Sequence, residues 1–420
     1  MPLSKKPVTG MKDIMPNEMQ IRDYVIRMIK ETYATFGFIS IETPCVENIE
    51  NLTNKQGGEN EKLIFKIMKR GEKLNLETAS TEADLTDSGL RYDLTVPLAR
   101  YYSNHAAELP SPFKALQIGN VWRADRPQRG RFRQFCQCDI DILGEASNLA
   151  EIDLILATTT LLGKLNFKDF AVRINDRRIL KAMAAFSGFG EEDYDNVFII
   201  LDKMDKIGID GVREELVAAG YGSDKADRYM GLFEKLSASG DPVGDLKALL
   251  GEAMDAEVSD NLKEIMRMVE DAKQADFALV FDPTLVRGMS YYTGTIFEIE
   301  MKEFSSSCGG GGRYDKMIGK FTGNDTPACG FSIGFERIIT ILLEQDFKVP
   351  GAPKKTAFLL EKGMDESRMS EIIKEAQARR AKGDIVLVAR MNKNKKFQKE
   401  LLTNEGYTEI IDYYVRPLEN

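Results

Sequence analysis

The sequence predicts an α+β protein: an antiparallel sheet core flanked by helices, a helical insertion, and a small C-terminal α/β domain. Three observations predict it. Strand-like runs, with basic or glycine-rich connections, recur on both sides of a long helical stretch. Between about residue 180 and 275 the texture changes to helical pieces separated by Gly and Asp turns. After a linker of Pro, Gly and Lys the chain alternates strand and helix, the pattern of a largely parallel sheet.

The elements follow in order. Residues 1–16 are an arm. Residues 17–36 carry Ile21, Val25, Met28, Ile29 and Tyr33 at helical spacing, and Gly37 ends the helix. "FISIETPCVEN" is a strand that breaks at Pro44, because proline has no N–H for a ladder. "KLIFKIMKRGEKLNLE" reads as a hairpin around Gly71, and "LRYDLTVPLARYYSNH" as a strand turning into a helix. "FKALQIGNVWRADRPQRGRFRQFCQCDIDILGE" reads as two antiparallel strands joined by a basic loop containing Pro127 and Gly130. "LAEIDLILATTTLLGKL" is an amphipathic helix. Within the insertion, "SDNLKEIMRMVEDAKQ" is a helix with Ser259 or Asp260 as its cap. Strands resume in "FALVFDPTLVRG", "YYTGTIFEIEM" and the glycine run "CGGGGRYDKMIG", and "CGFSIGFERIITILLEQ" is a strand entering a helix. The expected division is one domain over 1–345 that includes the insertion, a linker at 346–354, and a C-terminal domain at 355–420.

Bulk properties narrow the function. A net charge of -9 over 420 residues argues against a bulk electrostatic nucleic-acid binder, while leaving room for a local basic patch. No apolar run approaches the roughly 18 residues needed to span a bilayer, and the N-terminus has no apolar core of a signal peptide, so no membrane association is expected. Cys45, Cys136, Cys138, Cys308 and Cys329 are odd in number and scattered, which predicts free thiols in a reducing cytoplasm. No second Cys or His pair accompanies Cys136 and Cys138, so no metal site is predicted. The single histidine, His105, sits in a polar segment and reads as a surface residue; the chemistry falls to arginines and carboxylates.

The most informative stretch is "GRFRQFCQCDIDILGE". Successive strand side chains point to opposite faces. One face carries Phe132, Gln134, Cys136, Cys138, Ile140 and Ile142; the other carries Arg131, Arg133, Phe135, Gln137, Asp139 and Asp141. Asp93, Thr95, Arg123, Asp125, Arg287, Tyr291, Tyr292, Arg313 and Arg337 also fall in or beside predicted strands. Buried charges are costly unless paired or bound to a ligand. Guanidinium groups match phosphate and carboxylate geometry, and no P-loop is present, so the arginines suggest a triphosphate held by side chains. Gly309 to Gly312 read either as a tight turn or bulge, or as a close backbone approach to a ligand.

These residues resemble the histidyl-tRNA synthetase family of class II aminoacyl-tRNA synthetases. "FISIETPCVEN" is similar to class II motif 1, "VWRADRPQRGRFRQF" to motif 2 and "GFSIGFERI" to motif 3; "LVRGMSYYTGTIFE" and "CGGGGRYD" resemble the two histidine-specific signatures. The resemblance runs over roughly residues 8–345 and rests on five motifs in order. It implies activation of L-histidine with ATP to histidyl-adenylate and pyrophosphate, then transfer to the 3′ end of tRNA(His). It implies that Arg287 and Arg123 are catalytic; that Arg123, Asp125, Arg131, Phe135 and Arg337 bind ATP; and that Asp93, Thr95, Gln137, Asp141, Tyr291 and Tyr292 bind histidine. Mg²⁺ on the triphosphate, a homodimer through the motif 1 region and a cytoplasmic enzyme follow from it too. Two positions depart from the family pattern: Ser290 stands where Asp is typical and Asp125 where Glu is usual. The C-terminal domain resembles a shortened anticodon-binding domain, with Lys393, Lys395, Lys396 and Lys399 as a candidate RNA patch or a solvated helix face. The same fold also serves non-catalytic regulatory subunits of ATP phosphoribosyltransferase in histidine biosynthesis. Those generally lack the Arg-Gly kept here as Arg287 and Gly288, which favours the enzyme.

Overall fold

The computed structural model describes residues 3–53, 60–287 and 291–415, so Gly288 and Ser290 lie outside the described residues. The chain divides into two compact units, one of residues 1–13 and 25–342, the other of residues 14–24 and 343–420.

The larger unit contains, in chain order, β1 (Ile39–Ile41), β2 (Val46–Asn48), β3 (Lys66–Met68), β4 (Thr86–Leu90), β5 (Phe113–Trp122), β6 (Gln134–Leu143), β7 (Phe170–Asp176), β8 (Phe277–Phe281), β9 (Thr295–Met301), β10 (Phe304–Arg313) and β11 (Ala328–Ile333). Eight of them form one sheet in the order β1-β5-β6-β11-β10-β9-β7-β8. The ladder is antiparallel from β5 across to β7. It becomes parallel at both ends, where β1 pairs with β5 and β7 with β8. Pro44 separates β1 from β2, as expected, and β2 leaves for a small sheet with β4 and β3.

Strand β7 is missing from the sequence expectation, although Phe170, Val172 and Ile174 alternate there and are buried. It explains the insertion. Parallel neighbours need a long crossover, and the helices from Arg177–Ser187 to Ala256–Ala272 are the crossover from β7 to β8. The last of these helices is capped by Asp255, whose carboxylate accepts from the Glu257 N–H at 3.0 Å. Ser259 lies inside it and bonds back to the Ala256 carbonyl, so the expected Ser259 or Asp260 cap is corrected. The hairpin around Gly71 also does not form: a single 3₁₀ turn, Gly71–Lys73, stands there and β3 pairs with β4 instead. Leu76, in the second arm of the expected hairpin, is 66% exposed. The glycine run is neither a turn nor a bulge. Gly309 to Gly312 are mid-strand in β10, paired on both sides.

In the smaller unit, β12 (Lys355–Leu360), β13 (Ile385–Arg390) and β14 (Glu409–Tyr413) form an all-parallel sheet in the order β13-β12-β14. The helices Glu366–Arg380 and Lys395–Asn404 connect them, as the alternation predicts. Phe358 and Leu360 pack with Ile372 and Ala376 on one face, and Ala357 and Leu359 with Leu402 on the other.

Candidate active site

A cavity of about 300 Å³ opens on the large sheet over β6, β10 and β11. Its walls come from the segments that follow β4, β5 and β8 and from the start of the helix after β11. Every residue given a role from the sequence lines it: Asp93, Thr95, Arg123, Asp125, Arg131, Phe135, Gln137, Asp141, Arg287, Tyr291, Tyr292 and Arg337.

The floor follows from strand period and register. Gln137, Asp139 and Asp141 project from one face of β6 into the cavity, and all three are buried. Across the ladder, Asp139 pairs with Ser332 and Asp141 with Gly330. A Cβ on Gly330 would lie 2.0 Å from the Asp141 Oδ1, so only glycine leaves room for that carboxylate. The Tyr314 hydroxyl donates to the same oxygen at 2.6 Å. Burial pushes the Asp141 carboxyl well above the carboxylate range, and the nearby Asp139 adds to it. Burial likewise raises Asp93, and pushes Asp139 up to about 7. Three acids that resist ionisation in one small cavity call for a cationic or donor-rich ligand.

Arg287 comes from the segment after β8, at φ +64°. Its Nη1 donates to Glu298 of β9 at 2.7 Å, and its guanidinium also bonds Tyr292. Burial works against its charge, but Tyr292 and Glu298 outweigh burial and raise its pKa. A Cβ on Gly310 would lie 2.8 Å from the Arg287 Nη1, so this glycine makes room for the arginine itself. Four buried polar atoms of the cavity have no hydrogen-bond partner among the described residues: Asp93 Oδ2, Gln137 Oε1, Asp141 Oδ2 and Arg287 Nε. Unpaired buried groups are destabilising unless something supplies the partner.

Arg123, Arg131, Arg337 and Phe135 line the rest of the wall, with Tyr92, Arg129 and Phe304 packed behind or beside them rather than on the cavity surface. The Arg123 Nε donates to the Tyr92 carbonyl at 3.0 Å, and its guanidinium lies 4.2 Å from the Tyr92 ring and 5.2 Å from the Phe135 ring. Arg131 pairs with Asp125 at 3.2 Å. Phe304 carries Arg129 at 4.5 Å and Arg337 at 5.9 Å from its ring.

Some sequence candidates belong elsewhere. β6 begins only at Gln134, so Arg133 escapes the alternation: its side chain bonds the carbonyls of Asp125 and Thr9. Arg313 faces away from the cavity into Glu151, with bonds of 2.7 and 2.6 Å. His105 is half-buried rather than fully exposed, its ring 4.9 Å from that of Tyr101. The five cysteines are free. The structure adds groups the sequence reading did not assign: Tyr314, Glu298, Ser332 and Glu336, whose carboxylate accepts the Cys136 N–H at 3.0 Å. Tyr314 stands inside the quoted "CGGGGRYD", which was the available signal.

Residues 10–338 match the family model described as histidyl-tRNA synthetase. The chain belongs to the histidyl-tRNA synthetase family. It is 45% identical over 353 residues to the histidine–tRNA ligase of Leifsonia xyli subsp. xyli, covering 80% of each chain. It is 39% identical over 420 residues to the probable histidine–tRNA ligase of Tropheryma whipplei (strain Twist), covering 98% of this chain and 96% of that one. The crystal structure of histidyl-tRNA synthetase from Nostoc sp. PCC 7120 superposes with a TM-score of 0.77 at 26% identity, over 97% of this chain and 90% of that one. A Bacillus halodurans structure described as an ATP phosphoribosyltransferase regulatory subunit/histidyl-tRNA synthetase has a TM-score of 0.78 at 21% identity, over 99% of each chain, which speaks for the fold alone. Membership in the family makes this chain an aminoacyl-tRNA ligase and disfavours the regulatory alternative. No helix among the described residues is long and apolar enough to cross a membrane.

Proposed function

We infer that the chain activates L-histidine with ATP, releasing pyrophosphate, and then transfers the histidyl group to the 3′ end of tRNA(His). The observation that carries this reading is the set of unpartnered atoms in one cavity: three acceptors, Asp93 Oδ2, Gln137 Oε1 and Asp141 Oδ2, and one cationic donor, Arg287 Nε. Histidine supplies the complement, with an ammonium and ring N–H groups for the acceptors and a carboxylate for the arginines.

In this reading Asp93, Thr95 and Gln137 hold the α-ammonium, with Tyr291 hydrogen-bonded to Thr95 as their support. Asp141, oriented by Tyr314, takes one imidazole nitrogen and Tyr292 the other. A side chain that lacks those groups leaves buried partners unpaired, which is the basis of selection. Arg123 holds the substrate carboxylate and the α-phosphate. Arg131 and Arg337 hold the outer phosphates or the adenine, Phe135 offers a stacking face and Asp125 fixes Arg131. A carboxylate oxygen attacks the α-phosphorus, and the bond to pyrophosphate breaks. The nucleophile is already an anion, so the step needs positioning and charge stabilisation rather than a base. Arg287, held by Glu298, supplies that stabilisation. A terminal hydroxyl of the tRNA then attacks the histidyl carbonyl and AMP leaves.

Mg²⁺ enters as part of the nucleotide substrate. It is carried largely by phosphate oxygens and water in this reading. On the arginine-rich side the wall carboxylates are Asp125, paired with Arg131, and Glu336, which accepts the Cys136 N–H. A cytoplasmic homodimer is part of the proposal, supported by the motif 1 region, where Ile39 and Val46 are 53% and 45% exposed on short strands. The residue 1–345 portion is the proposed catalytic domain and residues 355–420 the proposed anticodon-side domain. The test is ATP–pyrophosphate exchange with each of the twenty amino acids, followed by tRNA charging. Exchange with histidine alone is expected; exchange with another amino acid, or none at all, overturns the reading.

A further inference from the structure

One buried acid on the cavity floor has no part in the mechanism above. Asp139 sits between Gln137 and Asp141 on the same face of β6 and is 4% exposed. Gln137 Nε2 lies 3.3 Å from Asp139 Oδ1, 3.2 Å from Oδ2 and 3.1 Å from the Ser332 Oγ. Ser332 also hydrogen-bonds Asp139 through its side chain. The –NH₂ end of the Gln137 amide therefore has two acceptors, and its other end, Oε1, is buried without a partner among the described residues.

We propose that Asp139 is a positioning residue: with Ser332 it fixes the Gln137 amide in one orientation, so that Gln137 Oε1 faces the α-ammonium of the substrate. An amide can turn about its last torsion with little intrinsic cost, and its two ends have opposite polarity. With Asp139 ionised, as it is above about pH 7, the reversed amide would set a carbonyl oxygen against a carboxylate and present N–H groups to an ammonium. Both contacts are repulsive, and both lie in a cavity where burial strengthens them. Asp139 thus turns an ambivalent side chain into a dedicated acceptor without touching the ligand. It differs from Asp93 and Asp141, which each keep an unpartnered oxygen. The register makes the device possible: Asp139 is paired directly with Ser332 across β6 and β11, so both acceptors converge on one amide nitrogen.

This inference rests on the histidine-activating reading and predicts a selective defect. In Asp139→Asn the new amide can present either end to Gln137, and the orientation is no longer imposed. The full chain is assayed by ATP–pyrophosphate exchange, with two competing ligands: 3-(imidazol-4-yl)propanoate, which lacks the ammonium, and histidinol, which keeps it. For Asp139→Asn the KM for histidine and the Ki for histidinol should rise about tenfold to a hundredfold, as for loss of a charge-assisted hydrogen bond. The Ki for the propanoate and the KM for ATP should stay within about twofold. Ser332→Ala should show the same pattern more weakly, and it serves if Asp139→Asn does not fold. Equal weakening of all three imidazole ligands means a merely structural role and overturns the proposal, as does no change in any of them. If the unsubstituted chain shows no histidine-dependent exchange, the activity reading falls and this proposal with it. If it exchanges normally but the selectivity pattern is absent, only the role of Asp139 falls.

Discussion

The cavity of the larger unit and the lysine-rich helix of the smaller unit are both charge clusters that stand out in the sequence, and they differ in what satisfies the charges. In the cavity, buried acids and an arginine keep unpartnered atoms, Asp93 Oδ2, Asp141 Oδ2 and Arg287 Nε. On the helix Lys395–Asn404, two of the four candidate lysines are already engaged. Lys395 and Lys399 both reach the Asp412 Oδ2, at 3.1 and 2.8 Å, and Lys395 also donates to the Tyr414 hydroxyl at 2.6 Å. Only Lys393 and Lys396 remain as exposed cations without an ion pair among the described residues. Charge density alone does not mark a binding site. Several unpartnered buried groups converging on one cavity do, because their joint desolvation has to be offset by a ligand; a single one, such as Asp412 Oδ1 beside Lys395 and Lys399, does not.

That contrast can be broken in order of expected effect. Arg287→Ala should lower the exchange rate by about a hundredfold or more, as for loss of a preorganised charge aimed at the reacting centre. Histidine binding, measured by calorimetry, should persist; an unchanged exchange rate would remove Arg287 from its role. Asp141→Asn should raise the KM for histidine about tenfold to a hundredfold with little change in the KM for ATP. Parallel losses for both substrates would make Asp141 a structural residue. The third test is thermal. Asp139 is held up to about 7 in the fold, chiefly by burial, so the folded state binds more protons than the unfolded chain between about pH 4 and 7. Stability contributed by this group therefore falls as pH rises through that window and is flat above it. The Tm of Asp139→Asn relative to the unsubstituted chain should climb from pH 4 to 7 and then level; a difference independent of pH would contradict the buried, proton-binding state. Smallest of all, Lys399→Ala should cost under about 1 kcal/mol in stability, as partly exposed ion pairs do, and change tRNA charging less than about twofold. A large loss of charging with intact pyrophosphate exchange would return this helix to the RNA surface.

The sequence and the structure agree most closely where information is local. Pro44 ends β1, the basic loop joins β5 to β6, and the period of β6 puts Gln137 and Asp141 on one face. Agreement ends where a distant partner decides. Arg313 and Arg287 look alike in the sequence, each beside a tyrosine or glycine motif. Arg313 meets Glu151, 162 residues away, and becomes part of the scaffold; Arg287 meets Glu298 and keeps Nε facing the cavity. Arg133 shares the parity of Arg131 but precedes the first ladder residue, so parity says nothing about its direction. β7 was legible in its alternation but lies between two long helical stretches that mask it.

By itself, the sequence determined most of the elements and the order of the five motifs, because strand period and turn chemistry act over a few residues. The tertiary structure alone decided which charges are neutralised, which glycine yields to which side chain and which way the Gln137 amide is held. Those outcomes depend on β-ladder register between strands far apart in the chain: Asp139 against Ser332, Asp141 against Gly330, Gly310 beneath Arg287. A shift of one residue would turn every one of those side chains to the other face.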